Sequence, residues 1–135
     1  MIKLHELKEG DIIEVDFEGQ RTVGDITDIS TGDKKVKVAH GETEFWYDFH
    51  DCYAVALSDD QLTELGFSPT AAPDGRGSAW ERGPFTVQFV PDAADAHALL
   101  HYRDETRHVH APDIRFVHQL QNHYKGMTNF ELSWP

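Results

Sequence analysis

The chain has a single cysteine, Cys52, so no internal disulfide can form, and a reducing compartment such as the cytoplasm is expected. The thiol lies between Asp51 and Tyr53, and a neighbouring carboxylate raises rather than lowers a thiol pKa, which points away from a nucleophile. Long apolar runs are missing too: nothing approaches the roughly 20 residues of a membrane helix. The opening Met1-Ile2-Lys3-Leu4-His5-Glu6 lacks the apolar stretch of a secretion signal, so no membrane association or export is expected. Basic residues are scarce, 12 against 24 acidic ones. There is no phosphate-binding glycine loop, no Gly-x-Gly-x-x-Gly after a strand and no Gly-x-Ser-x-Gly elbow, so neither an enzyme nor a cofactor is expected.

What is present is an uneven negative charge. The net of -12 over 135 residues divides sharply. Residues 1–67 hold 16 acids and 6 bases, a net of -10, and residues 68–135 hold 8 and 6, a net of -2. Such a field repels phosphates and attracts basic surfaces, because binding a polyanion needs cations that displace its counterions. Direct nucleic acid binding is therefore disfavoured, and a basic protein partner fits. The same charge also serves plain solubility.

Apolar and polar positions alternate from 11 to 57 with turn residues between, which predicts short antiparallel strands at 12–17, 21–29, 35–39, 43–49 and 53–57. Five such strands in so short a span suggest an SH3-like small β-barrel. Ser58 with Gln61 three residues on makes a capping box for a short helix, whose apolar face is Leu62 and Leu65 and whose stop is Gly66. Residues 68–79 carry prolines and glycines without periodicity and are predicted as a linker or long loop. Strands follow at 79–82, 85–91, 98–103 and 107–110, with turns at Gly83-Pro84 and Asp104-Glu105. A final helix is expected from Pro112-Asp113, with Ile114, Val117, Leu120, Tyr124 and Met127 forming one apolar stripe against the second sheet. The fold class is thus α+β. Its parts are an acidic SH3-like β unit with a capped helix over 1–67, the 68–79 connection, and a small antiparallel sheet packed by the C-terminal helix over 80–135.

Three groups of side chains are candidate sites. In the stretch from Glu42 to Asp51, around the strand at 43–49, Phe45, Tyr47 and Phe49 are expected to face the core. Trp46 then faces the other way among Glu42, Glu44 and Asp48. An exposed tryptophan ringed by acids is an anchor for a basic partner; the alternative is that Trp46 packs under the 68–79 loop. Six of nine histidines fall in the second half. A tight turn at Asp104-Glu105 would set His101 opposite His108, with His110 on the same face, so that three imidazoles can hold zinc. No HExxH or CxxC spacing accompanies them, and histidines on the polar side of a half-exposed sheet are the other account. On the final helix His118, Asn122 and Lys125 share one side, where they either meet a partner or, with Gln119, tie the helix to its neighbours.

The run Val117-His118-Gln119-Leu120-Gln121-Asn122-His123-Tyr124-Lys125-Gly126-Met127-Thr128-Asn129-Phe130-Glu131-Leu132 resembles a segment of the form VHQLQNLYFALTGEEL. That segment closes a group of short uncharacterised proteins from Bacteroidota genomes and their phages and prophages. The Leu7-Lys8-Glu9-Gly10-Asp11-Ile12-Ile13 and Leu57-Ser58-Asp59-Asp60-Gln61-Leu62-Thr63-Glu64-Leu65-Gly66-Phe67 segments are similar to that group in the same order. Where the group has an apolar pair after the tyrosine, this chain has Lys125-Gly126, which leaves the helix length open. The resemblance brings no reaction with it. It implies an accessory protein of phage or mobile-element kind, and with the acidic front half it suggests a nucleic acid mimic or an inhibitor of a host system. The rival expectation is a metal- or small-ligand-binding protein, or an enzyme, built on the histidine-rich sheet.

Overall fold

A computed structural model describes residues 4–73, 75, 77–90, 97–110 and 114–133. The chain divides into two compact units, residues 1–56 and 57–135. The fold is α+β, with most of the chain in two antiparallel five-stranded sheets and a helix near the C-terminus.

In the first unit a 3-10 turn (Leu4–Glu6) leads into β1 (Ile12–Phe17), β2 (Gln20–Ser30), β3 (Lys35–His40) and β4 (Thr43–Asp48). A second 3-10 turn (Phe49–Asp51) then precedes the short β5 (Cys52–Ala54). The order across the sheet is β4-β3-β2-β1-β5. Alternation was the right signal: Ile13, Val15, Ile26, Val36, Val38 and Tyr47 form one buried face with Leu7 and Cys52. The long β2 serves both neighbours because it bends. Its pairing with β3 shifts between Ile26 and Asp28, an extra residue that sharpens the twist. The expected barrel is not closed, since β4 and β5 at the two ends of the order are not paired with each other among the described residues. Closure needs a complete ladder around the sheet, and the three residues of β5 pair with β1 alone.

The second unit begins one residue before the cap of α1 (Asp59–Glu64). The Ser58 hydroxyl accepts the Gln61 N–H at 3.2 Å, as the sequence predicts. The reciprocal half of the box is missing, because the Gln61 side-chain oxygen is buried without a hydrogen bond. Gly66, with φ of +90°, stops the helix: its N–H reaches the Thr63 carbonyl and the Phe67 N–H reaches that of Leu62. Of the segment expected as a linker or long loop, only its ends, 68–70 and 78–79, belong to the sheet. β6 (Ser68–Thr70) and β7 (Ser78–Arg82) pair across the proline- and glycine-rich stretch, which is the connection of a hairpin. β8 (Phe85–Val90), β9 (His97–Tyr102) and β10 (Glu105–His110) complete the order β10-β9-β8-β7-β6. Because α1 belongs here, Asp59, Asp60 and Glu64 leave the first unit with 13 acids and 6 bases, a net of -7.

α2 (Val117–Thr128) starts later than expected, and 112–113 lie outside the described residues. Ile114, Val117, Leu120, Tyr124 and Met127 are all buried. The helix packs on the sheet through Tyr124, whose ring lies 4.9 Å from Phe85 and edge-on to Phe67, and whose hydroxyl accepts from Arg82 at 3.0 Å. Lys125-Gly126 does not shorten it; Asn129, at φ of +63°, caps it by donating to the Lys125 carbonyl. A Cβ at Gly126 would meet nothing within 4 Å, and the position is exposed. Gly126→Ala is accordingly expected to stabilise the protein by about 0.5–1 kcal/mol in urea unfolding, since glycine inside a helix loses more backbone entropy than alanine.

Candidate functional site

Two of the three exposed large hydrophobic side chains among the described residues lie on the first sheet; the third, Phe130, follows α2. β4 shows two aromatics to solvent, Trp46 at 45% and Phe45 at 48% exposure. They lie on opposite faces of one strand, as neighbours in a strand must. Trp46 is on the outer face, as one of the two expectations had it. Phe45 departs from its expected place in the core: it shares the core face with Val36, Val38 and Tyr47 yet remains half exposed. The reason is position. Among the described residues β4 is an edge strand, and Phe45 meets the rings of Phe17, stacked at 5.6 Å, and His40 at 6.5 Å. Tyr47 is buried, with its hydroxyl 2.6 Å from His40 Nε2, and Phe49 packs against the core from the 3-10 turn. Burial, with the charges of Cys52 and Glu18, holds the Tyr47 phenol above its ordinary pKa of 10.0.

The register supplies what composition could not. Lys37 stands opposite Trp46, and Lys35 opposite Asp48. Lys37 Nζ is 2.8 Å from Glu44 Oε1 and 6.0 Å from the centre of the Trp46 ring. Its hydrogen bond and charge lower the Glu44 pKa below 4.5, and the same contact raises that of Lys37 above 10.5. Beside Trp46 lies a groove of about 450 Å³ lined by Asp28, Ile29, Ser30, Asp33 and Lys35. The outer face therefore sets Asp28, Asp33, Glu44 and Asp48 against two lysines, with the indole between them. It is acidic but mixed. Glu42 sits exposed in the turn joining β3 to β4.

The other sequence candidates separate. His118 is 1% exposed and stacks on Phe116 at 6.2 Å, so it faces the interior, not a partner. Asn122 is half-buried beside it in α2. Gln119 accepts the Phe116 N–H at 3.1 Å, and Gln121, which the sequence did not single out, donates to the Leu132 carbonyl at 2.7 Å from a fully buried position. These amides anchor the helix and the segment after it.

The histidine triad rests on a turn that is one residue out. The tight turn is Arg103-Asp104, with Arg103 at φ of +55°, so His101 pairs with Thr106 and His108 with Leu99. His101 uses both ring nitrogens on neutral partners, Thr106 Oγ1 at 3.1 Å and Gln88 Oε1 at 3.3 Å. The side chain of His110 lies outside the described residues. Among those described, no three His, Cys, Asp or Glu side chains stand close enough to share a metal. A separate cavity of about 340 Å³ in the second unit contains no histidine; Leu62, Trp80, Phe89 and Ile114 line it, with Asp59 and Arg115 also at its wall. Among the described residues no helix is long and apolar enough to cross a membrane.

No protein-family model, curated protein or solved structure matches this chain. Function has to be read from its own chemistry.

Cys52 contributes to that reading. It is buried, and burial first, then the charges of Asp51 and Asp48, push its thiol pKa from 9.0 up to about 12. The thiol points to the Asp48 carbonyl at 3.5 Å. In the folded protein at pH 8, iodoacetamide is expected to label Cys52 at least about tenfold more slowly than a free thiol, the rate rising to that of a free thiol on unfolding. The unfolded chain's thiol ionises first on raising the pH. This group's contribution to stability is therefore fully present below 9.0 and lost as pH rises towards about 12.

Proposed function

We propose that the chain is a non-catalytic binding protein whose first unit takes up a basic protein partner on the face around Trp46. The observation that carries this reading is a half-exposed indole on an edge strand, set beside a groove with carboxylates on its walls. Aromatic anchors supply affinity and a complementary field supplies steering. The order of strands, a four-stranded meander, a 3-10 turn and a last strand returning beside the first, supports an SH3-like reading of the unit. A protonated, buried thiol supports a role without covalent chemistry.

The resemblance to short Bacteroidota and phage proteins adds an accessory role in the cytoplasm, with inhibition of a host system as its sharper form. A nucleic acid mimic would rest on the net of -7 carried by residues 1–56, not on the Trp46 face alone, where two lysines offset part of the charge. The metal alternative has only His101 and His108 described, both without a shared site.

The test is capture from a nuclease-treated host lysate by tagged wild-type protein and by Trp46→Ala, at rising salt, with zinc measured on the same samples. The expected result is a stoichiometric basic partner that leaves as salt rises and binds Trp46→Ala about tenfold more weakly. A partner held equally by both proteins would overturn the surface, and zinc near one per chain without a partner would overturn the class.

A further inference from the structure

The outer edge of β4 has a defined hydrogen-bonding pattern. In an antiparallel ladder, residues alternate between those whose N–H and C=O both point to the neighbouring strand and those whose groups point away. The phase is fixed at the end of β4, where the Phe49 N–H reaches the Lys34 carbonyl at 3.0 Å. Thr43, Phe45 and Tyr47 therefore bond to β3, and Glu44, Trp46 and Asp48 direct their backbone groups outwards. The Asp48 carbonyl takes the Cys52 thiol. No strand among the described residues pairs with that edge. A partner that covers it must supply donors and acceptors at strand spacing, which only an extended chain does.

The two faces of β4 then specify the side chains of that extended chain. On one face lie Glu44, Trp46 and Asp48; on the other, uncovered Phe45 continues the core. An added strand sets its residues alternately on these faces. Cationic side chains suit the first and apolar ones the second. A second copy of this chain suits neither: self-pairing about Trp46 sets Glu44 against Asp48 twice, and about Phe45 sets Asp48 against Glu42, with like charges directly opposed.

We infer that β4 takes up an extended segment of a protein partner as a sixth strand, with lysine or arginine at alternate positions over Trp46 and apolar residues between them over Phe45. This rests on the binding reading above and names its mode.

The test uses the full chain and two fluorescein-labelled peptides of equal composition, one alternating lysine and valine, one with all its lysines before its valines. Binding is read by anisotropy at low salt, and backbone exchange by amide NMR. The alternating peptide is expected to bind at least about tenfold more tightly than the block peptide, and to slow amide exchange at Glu44 and Trp46, whose N–H groups face outwards. Phe45 and Tyr47, already bonded to β3, should change little. Glu44→Pro removes an outward N–H without touching the β3 ladder, and is expected to bind the alternating peptide about tenfold more weakly than Glu44→Gln, which loses the same charge but keeps the N–H. Both lack the ion pair to Lys37, so the comparison isolates the backbone bond. The exchange measurement on wild-type protein needs no variant and stands if Glu44→Pro fails to fold. Equal, salt-sensitive binding of both peptides without slowed exchange at Glu44 and Trp46 would overturn strand addition and leave the acidic surface standing. Binding of neither peptide at low salt would overturn both.

Discussion

Asp11→Ala is expected to lower stability by about 3 kcal/mol in urea unfolding of the full chain, the order of effect seen when one partner of a buried ion pair is removed. Asp11 is completely buried, and every group it owns is engaged at the start of the first sheet. Its Oδ2 accepts the Lys8 N–H at 3.0 Å, its Oδ1 lies 3.1 Å from Lys8 Nζ, and its own N–H returns to the Lys8 carbonyl at 3.1 Å. The turn so closed is clasped to β2, with Ile26 N–H on the Asp11 carbonyl at 2.9 Å and Gly10 N–H on that of Ile26 at 2.8 Å. Alanine keeps the backbone bonds but strips the turn of its acceptor and of the counter-charge to a partly buried ammonium. Asp11→Asn retains an acceptor of the same shape and should cost about 1 kcal/mol. Equal costs for the two would show that the charge, which both variants lose, and not the retained acceptor shape holds the turn; no cost for alanine would refute the account.

Gly24→Ala should cost nearly as much, about 2–3 kcal/mol, for the opposite reason. A Cβ there would lie 2.4 Å from the Ala39 carbonyl oxygen and 2.7 Å from Val38 Cγ1. The oxygen is backbone and cannot rotate away. The β2–β3 ladder at Asp25–Ala39 and Ile26–Val38 would have to open. Gly32, where a Cβ meets nothing within 4 Å, is the control, and Gly32→Ala should change stability by less than about 0.5 kcal/mol. A Gly24→Ala midpoint within that same margin would mean that the bend of β2 tolerates a methyl group.

Local chemistry was legible wherever it acts over a few residues. Alternation located the strands, Ser58 and Gly66 bounded α1, and the stripe from Val117 to Met127 marked the buried face of α2. The candidate surface was half legible. Alternation turns Trp46 outwards, but the lysines that share its face are not visible in the sequence, because they are its neighbours in the sheet and not in the chain. Parity alone places Phe45 on the core face. Parity assigns a face, but an edge position decides whether anything covers it.

The histidines show the same limit at one residue. Placing the β9–β10 turn at 104–105 pairs His101 with His108, and placing it at 103–104 pairs His101 with Thr106. Arg103 adopts a left-handed backbone that no local pattern flagged, since a non-glycine residue other than asparagine or aspartate does so uncommonly. His118 likewise sits on the helix side read as polar, yet the packing around α2 buries it.

By itself, then, the sequence determined most of the strands, the two ends of α1, the buried stripe of α2, and that the charge concentrates near the front. Period and turn chemistry are properties of adjacent residues. The tertiary structure alone decided that 68–82 is a hairpin and that the unit boundary falls before α1. It also decided that lysines sit beside Trp46, and that among the described residues no strand pairs with the outer edge of β4. Each of these depends on which strand lies next to which and in what register, and strand pairing joins residues that a local reading of the chain never compares.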